Sequence, residues 1–342
     1  MSVEILDPWK VDAAHFPTEE TRSARLEALV RYAVLAPSTH NTQPWRFRVR
    51  QDALEVFADR SRSLPVADPD GRELTISCGA ALQFARLTAR IFSVEGPVEL
   101  LPDPQQPDLL ARLHLGSAAH STTAEERRFN AIPERHTSRT PFANDAGAAR
   151  AVARLAPLAR QFGAALATSN EPALRTRVAD LVEEADRKQM SDPAFRRELA
   201  RWVKPRGSSD ADGMSLSSFG LNDRLTGAAA AVIRAVDLGE GTAATHHRLA
   251  ERTPWLGLLS SVEDVPKCWL RTGMALADIV LELTASGISC SFLSQPIELS
   301  DTRMKVGEAF EVEGIPQMLL RIGRGAAVPA AARRTPESVT GT

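Results

Sequence analysis

The run Ala36-Pro37-Ser38-Thr39-His40-Asn41-Thr42-Gln43-Pro44-Trp45 constrains this chain more than any other feature. Two prolines fence a stretch of small hydroxyl and amide side chains, and Trp45 closes it. Proline fixes φ and removes a backbone donor, so the stretch must be a loop. An amphipathic helix precedes it: Leu26, Leu29, Val30, Ala33 and Val34 share one face. A strand, Arg46–Arg50, follows. The loop offers backbone N–H groups, two side-chain amides and hydroxyls with little bulk. That inventory suits a flat polar heterocycle approached closely.

The rest of the chain reads as helices alternating with short strands. Strands are expected at Leu54–Phe57, Val98–Leu101 and Leu109–Leu115, with a long helix over Leu74–Phe92. A second block starts near Thr123. It holds a short helix, the loop Pro133–Asn144 and a helix to about Arg160. The strand Gly163–Ser169 and a helix marked by Leu174, Val178, Leu181, Val182 and Ala185 come next. Pro205–Gly220 has little to bury and reads as a long loop, the candidate lid. Helices Asp223–Val236 and Thr242–Arg252, strand Trp255–Ser260, helix Lys267–Ala285 and strands Ile288–Leu293 and Gln317–Ile322 complete the block. The Ala-, Arg- and Pro-rich end reads as a loose tail over 331–342. Gly79-Ala80-Ala81-Leu82 and Gly273-Met274-Ala275-Leu276 open similar helices in the two halves. This suits a duplicated α+β unit, and equally two unrelated core helices with small-residue starts.

Composition narrows the class. With 342 residues, 43% hydrophobic and 25% charged, the chain is an ordinary globular protein. A net charge of −2 favours neither nucleic acid nor an anionic membrane as partner. Cys78, Cys268 and Cys290 are few and scattered, which fits a reducing cytoplasm and supports no disulfide framework. Met1–Lys10 has no long apolar core and is not a leader. No apolar run approaches the ~20 residues that span a bilayer.

Three further clusters can carry chemistry. Arg135-His136-Thr137-Ser138-Arg139 places two guanidiniums and a histidine around hydroxyls, a set that binds phosphate and carbonyls. A solvated basic loop explains the same residues. Arg321-Ile322-Gly323-Arg324-Gly325 follows a strand, with Arg333 and Arg334 beyond it; these arginines either complete a phosphate site or lie exposed. Ser289-Cys290-Ser291-Phe292-Leu293-Ser294-Gln295-Pro296 begins as a strand and leaves the core as a small polar loop.

Together these clusters resemble the nitroreductase superfamily, over roughly residues 20–325. Pro37, Ser38, Asn41, Gln43, Pro44 and Trp45 match its Pro-Ser-x-x-Asn-x-Gln-Pro-Trp loop. Arg135, Thr137 and Arg139 match its Arg-x-Ser-x-Arg segment, with Thr in place of Ser. In a simple member the arginine segment comes first; here it comes about a hundred residues later. That order resembles the Acg-type branch. The resemblance implies an α+β nitroreductase-like fold, duplicated, with two degenerate halves (1–120 and 121–330) fused as an intrachain pseudo-dimer.

The resemblance also implies one FMN per chain, NADPH or NADH as electron donor, and reduction of a small nitro compound or quinone. The cofactor-binding set it implies is Pro37, Ser38, Thr39, Asn41, Gln43, Arg135, His136, Thr137, Arg139, Leu293, Ser294, Arg321, Arg324 and Arg333. Arg135 or Arg139 would stabilise the reduced ring, and Ser38 and Asn41 would reach it from the other half. No side-chain acid is required, because solvent can deliver protons to an open site. The competing readings are FMN storage or sequestration, and another flavin chemistry such as dehydrogenation, dehalogenation or flavin breakdown. The chain would act as a cytoplasmic monomer or homodimer.

Other motifs fail their context. Gly239–Ala244 fits G-x-G-x-x-A but follows a helical pattern, so the dinucleotide fingerprint lacks its strand. His246 and His247 point to different sides of a helix, so a metal with Cys268 is disfavoured and a solvated face expected. No G-x-S-x-G supports an esterase. Glu125-Glu126-Arg127-Arg128 reads as a charge-paired helix start.

Overall fold

The computed structural model describes residues 7–117, 120–204, 208–215 and 239–341. Two antiparallel-dominated sheets flank a pair of long buried helices. The first sheet has the order β11-β1-β2-β4-β3, from β1 (Trp45–Arg50), β2 (Ala53–Ala58), β3 (Glu95–Leu100), β4 (Leu109–Leu115) and β11 (Thr340–Gly341). The second has the order β5-β8-β10-β9, from β5 (Ala164–Ser169), β8 (Trp255–Ser261), β9 (Ser289–Phe292) and β10 (Ile315–Gly323). A two-residue parallel pair, β6 (Val203–Lys204) with β7 (Met214–Ser215), stands apart. The mixed α/β organisation matches the expected α+β class.

The central helices are Arg72–Ile91 and Pro266–Ala285, and each contributes mostly buried side chains. Asp68 caps the first, accepting from the N–H groups of Glu73 (3.0 Å) and Leu74 (2.9 Å). The two glycines of the suspected repeat explain how the helices cross. A Cβ on Gly79 would collide with the backbone carbonyl of Leu270 on the other helix. A Cβ on Gly273 would collide with that of Ile76 in return. The contact is reciprocal, so the helices approach at backbone distance.

Three local readings need correction. The helix expected up to Arg160 is two helices, Ala146–Val152 and Leu155–Arg160. Pro157 explains the break, since its ring clashes with the carbonyl four residues back, on Ala153. Helices Pro193–Trp202 and Ser300–Ala309 lie where no helix was expected. Asp192 caps the former through Ala194 N–H (2.7 Å), with Pro193 in its first turn. The end of the chain is not a loose tail. Thr340 and Gly341 pair in parallel with Phe47 and Arg48, and Arg333 is 6% exposed. Arg334 donates to the carbonyls of Gln43 (3.1 Å) and Trp45 (3.4 Å), which ties the tail to the Pro37–Trp45 loop. Of the expected lid, 205–207 and 216–220 lie outside the described residues, as does the expected helix Asp223–Val236.

Candidate active site

The Pro37–Trp45 loop is held in an unusual backbone. His40, Asn41 and Gln43 all have left-handed φ, at 50°, 55° and 50°. Non-glycine residues adopt this region at a cost, and it persists only where surroundings over-determine it. Here they do. Gln43 N–H donates to Ser38 Oγ (2.9 Å) and Thr39 Oγ1 donates to Glu73 Oε2 (2.7 Å). The Asn41 amide donates to the carbonyls of Gly213 (3.0 Å) and Ala332 (3.0 Å), and its Oδ1 accepts from Arg333 (2.8 Å). Gln43 is fully buried; it donates to Ala211 O (2.7 Å) and accepts from Arg334 N–H (2.8 Å). Asn41 and Gln43 therefore clip the loop to the 211–213 segment and to the tail.

The arginine segment is stitched onto the second sheet. Thr137 bridges Cys290 on β9, and Ala143 exchanges both backbone hydrogen bonds with Arg324 at the end of β10 (2.8 and 3.1 Å). This aims Arg135, His136 and Arg139 at the loop. A cavity of about 1000 Å³ opens between them, lined by Asn41, Arg135, His136, Thr137, Arg139 and Arg333 among others. A smaller compartment of about 130 Å³ adjoins it, lined by Thr39, Leu293, Ser294 and Arg321. Pro37, Ser38, Arg139, Met214 and His246 line both compartments. Residues from distant parts of the sequence thus share one wall, as the motif reading expects. Gln43 and Arg324 do not. Arg324 is half-exposed and ion-paired with Asp145.

Electrostatics distinguish this cavity from an ordinary cleft. Arg135, Arg321 and Arg333 are 4%, 1% and 6% exposed. Together with Arg139 they form no ion pair with a carboxylate among the described residues. Arg135 and Arg333 both donate to the same carbonyl, that of Leu35, each at 3.4 Å. The Nε atoms of Arg135, Arg321 and Arg333 are buried without a partner, as are Nδ1 of His136 and of His40. Burial pushes Arg135, Arg139 and Arg321 down to about 10. Arg333 falls further, by burial and then by the charge of Arg135. His136 and His40 are lowered to about 4, chiefly by burial and then by neighbouring guanidiniums. Every one of these groups is penalised for its positive charge; the carboxylates that line the same compartments, Glu73, Asp186, Glu298, Asp210 and Asp212, form no ion pair with these arginines among the described residues. The solvated-loop reading of Arg135–Arg139 fails on burial alone.

Several participants had no motif to announce them. Trp9 lies 4.7 Å beneath the Arg333 guanidinium, meets His136 edge-on at 4.6 Å, and donates to Ala331 O (2.8 Å). Phe142 packs 4.6 Å from the Arg321 guanidinium. Met214 accepts a long hydrogen bond from Arg139 (3.3 Å). The segment 208–215 passes along the cavity, fastened by an Arg62–Asp212 ion pair and by Lys204 on Asp210 (3.2 Å). His246 turns to the cavity, so the solvated-face reading holds for His247 only in part and not for His246. Among the described residues no group of His, Cys, Asp and Glu can hold a metal ion.

Over 315 residues the chain is 31% identical to the Mycobacterium tuberculosis H37Rv protein named "Putative NAD(P)H nitroreductase Rv3131", covering 90% of this chain and 86% of that one. The chain belongs to the nitroreductase family. A second relative from the same organism, "Uncharacterized protein Rv3127", is 31% identical over 324 residues, covering 91% of both chains. The protein of that organism named "Putative NAD(P)H nitroreductase acg" is 27% identical over 309 residues, covering 87% of this chain and 88% of its own. No protein-family profile matches. Among solved structures, an FMN-bound nitroreductase from Desulfitobacterium hafniense has a TM-score of 0.39 at 12% identity, over 63% of this chain and 98% of that one. The FMN-dependent nitroreductase NfnB from Mycobacterium smegmatis, solved with NADPH, has a TM-score of 0.38 at 20% identity, over 59% and 87%.

Proposed function

We propose that this nitroreductase-family chain is an FMN-dependent oxidoreductase that uses NADPH or NADH to reduce a small electron-poor acceptor, a nitro compound or a quinone, by two electrons. One observation carries the reading: Arg135 and Arg333, both buried, converge on the Leu35 carbonyl without a carboxylate. Two unpaired buried guanidiniums are costly. A phosphate monoester dianion meets both, with oxygens for the unpartnered Nε atoms.

Arg135 and Arg333, with His136, hold the phosphate in this reading. Arg139 and Arg321 lie toward the smaller compartment and stabilise negative charge on the ring, by oxyanion-hole logic. Pro37, Ser38, Thr39, Thr137, Leu293 and Ser294 bound the ring and ribityl chain. Bound FMN supplies hydride transfer, and the protein supplies position and field. Asn41 and Gln43 support this site through the loop and tail, and Arg324 pairs outside it.

The halves 1–120 and 121–330 are read as a duplicated pair. The reciprocal Gly79 and Gly273 contacts support this. So does a site with Leu35 and Asn41 on one side and Arg135, Arg139 and Arg321 on the other. One such site per chain follows. The protein is proposed to work in the cytoplasm as a monomeric pseudo-dimer; no described helix is long and apolar enough to cross a membrane.

The fastened segment 208–215 favours a second reading, storage of FMN with little turnover. Anaerobic addition of NADPH or NADH to the flavin-loaded protein separates the two. Rapid bleaching is expected; a persistent oxidised spectrum would favour storage.

A further inference from the structure

The wall joining the two compartments carries a titratable pair that the flavin reading leaves unused. His246, on the helix Gly239–Glu251, lines both compartments. Its Nδ1 lies 2.8 Å from Oδ2 of Asp186, which is 4% exposed on the helix Pro172–Ser191. A carboxylate only accepts, so Nδ1 carries the proton. Gln295 stands 2.9 Å from the same nitrogen; with Nδ1 protonated its amide meets the ring through Oε1, an atom otherwise buried without a partner, which fits the Nδ1–H tautomer. Nε2 makes no hydrogen bond among the described residues and is the nitrogen left for the cavity. His247 turns away to Asp180 (3.2 Å). A carboxylate that fixes one tautomer and presents the opposite nitrogen is an arrangement that moves protons.

We infer that His246 is a catalytic proton donor to the acceptor and that Asp186 is its positioning residue; this rests on the reductase reading above. Reduction of a quinone to a hydroquinone adds one hydride and one proton. NAD(P)H is the source of the hydride that one quinone oxygen gains. The proton comes from the imidazolium: its Nε2–H bond breaks and an O–H bond forms on the other oxygen. The neutral imidazole then takes a proton from water, so charge and atoms balance. The sum is NAD(P)H, quinone and a solvent proton giving NAD(P)⁺ and hydroquinone. The described charged groups around this position are Asp186 on one packed helix, Glu298 beside Gln295, Glu73 on the first central helix, Arg139 on the arginine segment, Arg321 on β10, and Arg248 and Arg252 on the helix of His246 itself.

The test compares His246→Gln and Asp186→Asn with His247→Gln as control, using p-benzoquinone as acceptor. Stopped-flow on flavin-loaded protein separates reduction by NADPH or NADH from reoxidation by the quinone. The first step is expected to stay within about twofold in His246→Gln while the second falls about a hundredfold or more, the lower end for general acid catalysis. The wild-type reoxidation rate should carry a pH-dependent limb that vanishes in His246→Gln. A readout that needs no turnover is ¹⁵N-histidine NMR of the flavin-free protein. Neutral His246 should be the Nδ1–H tautomer and should shift toward Nε2–H in Asp186→Asn. Unchanged reoxidation and an unchanged pH profile in His246→Gln would overturn the proposal. So would loss of flavin from both variants, which would make the pair a structural clamp. A wild-type chain that retained no flavin would defeat the reductase reading itself, and this inference with it.

Discussion

Replacing Arg135 with Met should make the flavin-free protein more stable and the flavin-bound protein weaker. Arg135 is 4% exposed and lowered from 12.5 to about 10 by burial. That fall is worth about 3 kcal/mol. The sign follows from the direction. The folded value lies below the unfolded one, so the charged form is penalised in the fold at every pH below about 10. At neutral pH the whole penalty is present. Its compensation in the flavin-free fold is slight: Arg135 reaches Thr137 Oγ1 at 3.3 Å and the Leu35 carbonyl at 3.4 Å. Two long bonds offset about 1 kcal/mol together. Methionine fills similar space without charge, so a net gain of about 2 kcal/mol is expected. The bound state moves the other way. Removing one partner of a buried charge-assisted pair costs about 2–5 kcal/mol, so FMN affinity should drop roughly thirtyfold or more. Urea unfolding of the flavin-free protein and quenching of FMN fluorescence measure the two quantities. A destabilised variant with unchanged FMN affinity would refute the reasoning and make Arg135 a structural residue.

Three further outcomes follow from particular contacts. Gly79→Ala or Gly273→Ala drives a Cβ into the opposite helix backbone and should cost about 3 kcal/mol or more, read as a fall in urea midpoint; an unmoved midpoint would deny the crossing. His40 is lowered to about 4 by burial and then by the charge of Arg139, so the unfolded chain takes up its proton first as pH falls. Stability should therefore be full above about 6.5 and about 2 kcal/mol lower at pH 5, a loss that His40→Asn should reduce while keeping the left-handed backbone; an equal loss in the variant would count against it. Asp212→Ala frees the 208–215 segment from Arg62 and should speed reduction of a bulky acceptor relative to a small one; an unchanged ratio would show that this segment does not gate the cavity.

The parts of this fold that local chemistry decides were legible in the sequence. Apolar spacing placed Leu26, Leu29 and Val30 on a buried helix face, and two prolines marked the loop before Trp45. The repeat at Gly79 and Gly273 was visible as letters, but only the crossing of two distant helices says why both are glycine. The tail was misread because Ala, Arg and Pro carry no core signal. Its order comes from Arg333 and Arg334 reaching back almost three hundred residues to Asn41, Gln43 and Trp45.

The site was legible where its residues carry a motif, and less so where they serve one. Arg135 and Arg139 stood out by spacing, yet an exposed basic loop has the same letters, and only burial separates the two. Asn41 and Gln43 stood out as cofactor-binding candidates, but their amides are spent on Gly213, Ala211 and the tail, partners that no local pattern reveals, and Gln43 does not line the cavity. Trp9 lies far in sequence from every arginine it touches. The helix Pro193–Trp202 was missed although Asp192 and Pro193 have the chemistry of a helix start. His246 shows the limit most clearly: helical geometry does send it and His247 to different sides, but the side that faces a cavity is decided by Asp186, sixty residues away.

The central claim is that both halves of the chain together build a single anion-holding flavin site. Loading the purified chain with excess FMN, removing what is unbound and measuring flavin against protein tests it directly. One FMN per chain is the predicted result. Two would mean that each half carries its own site, and none would mean that the converging arginines serve some other anion.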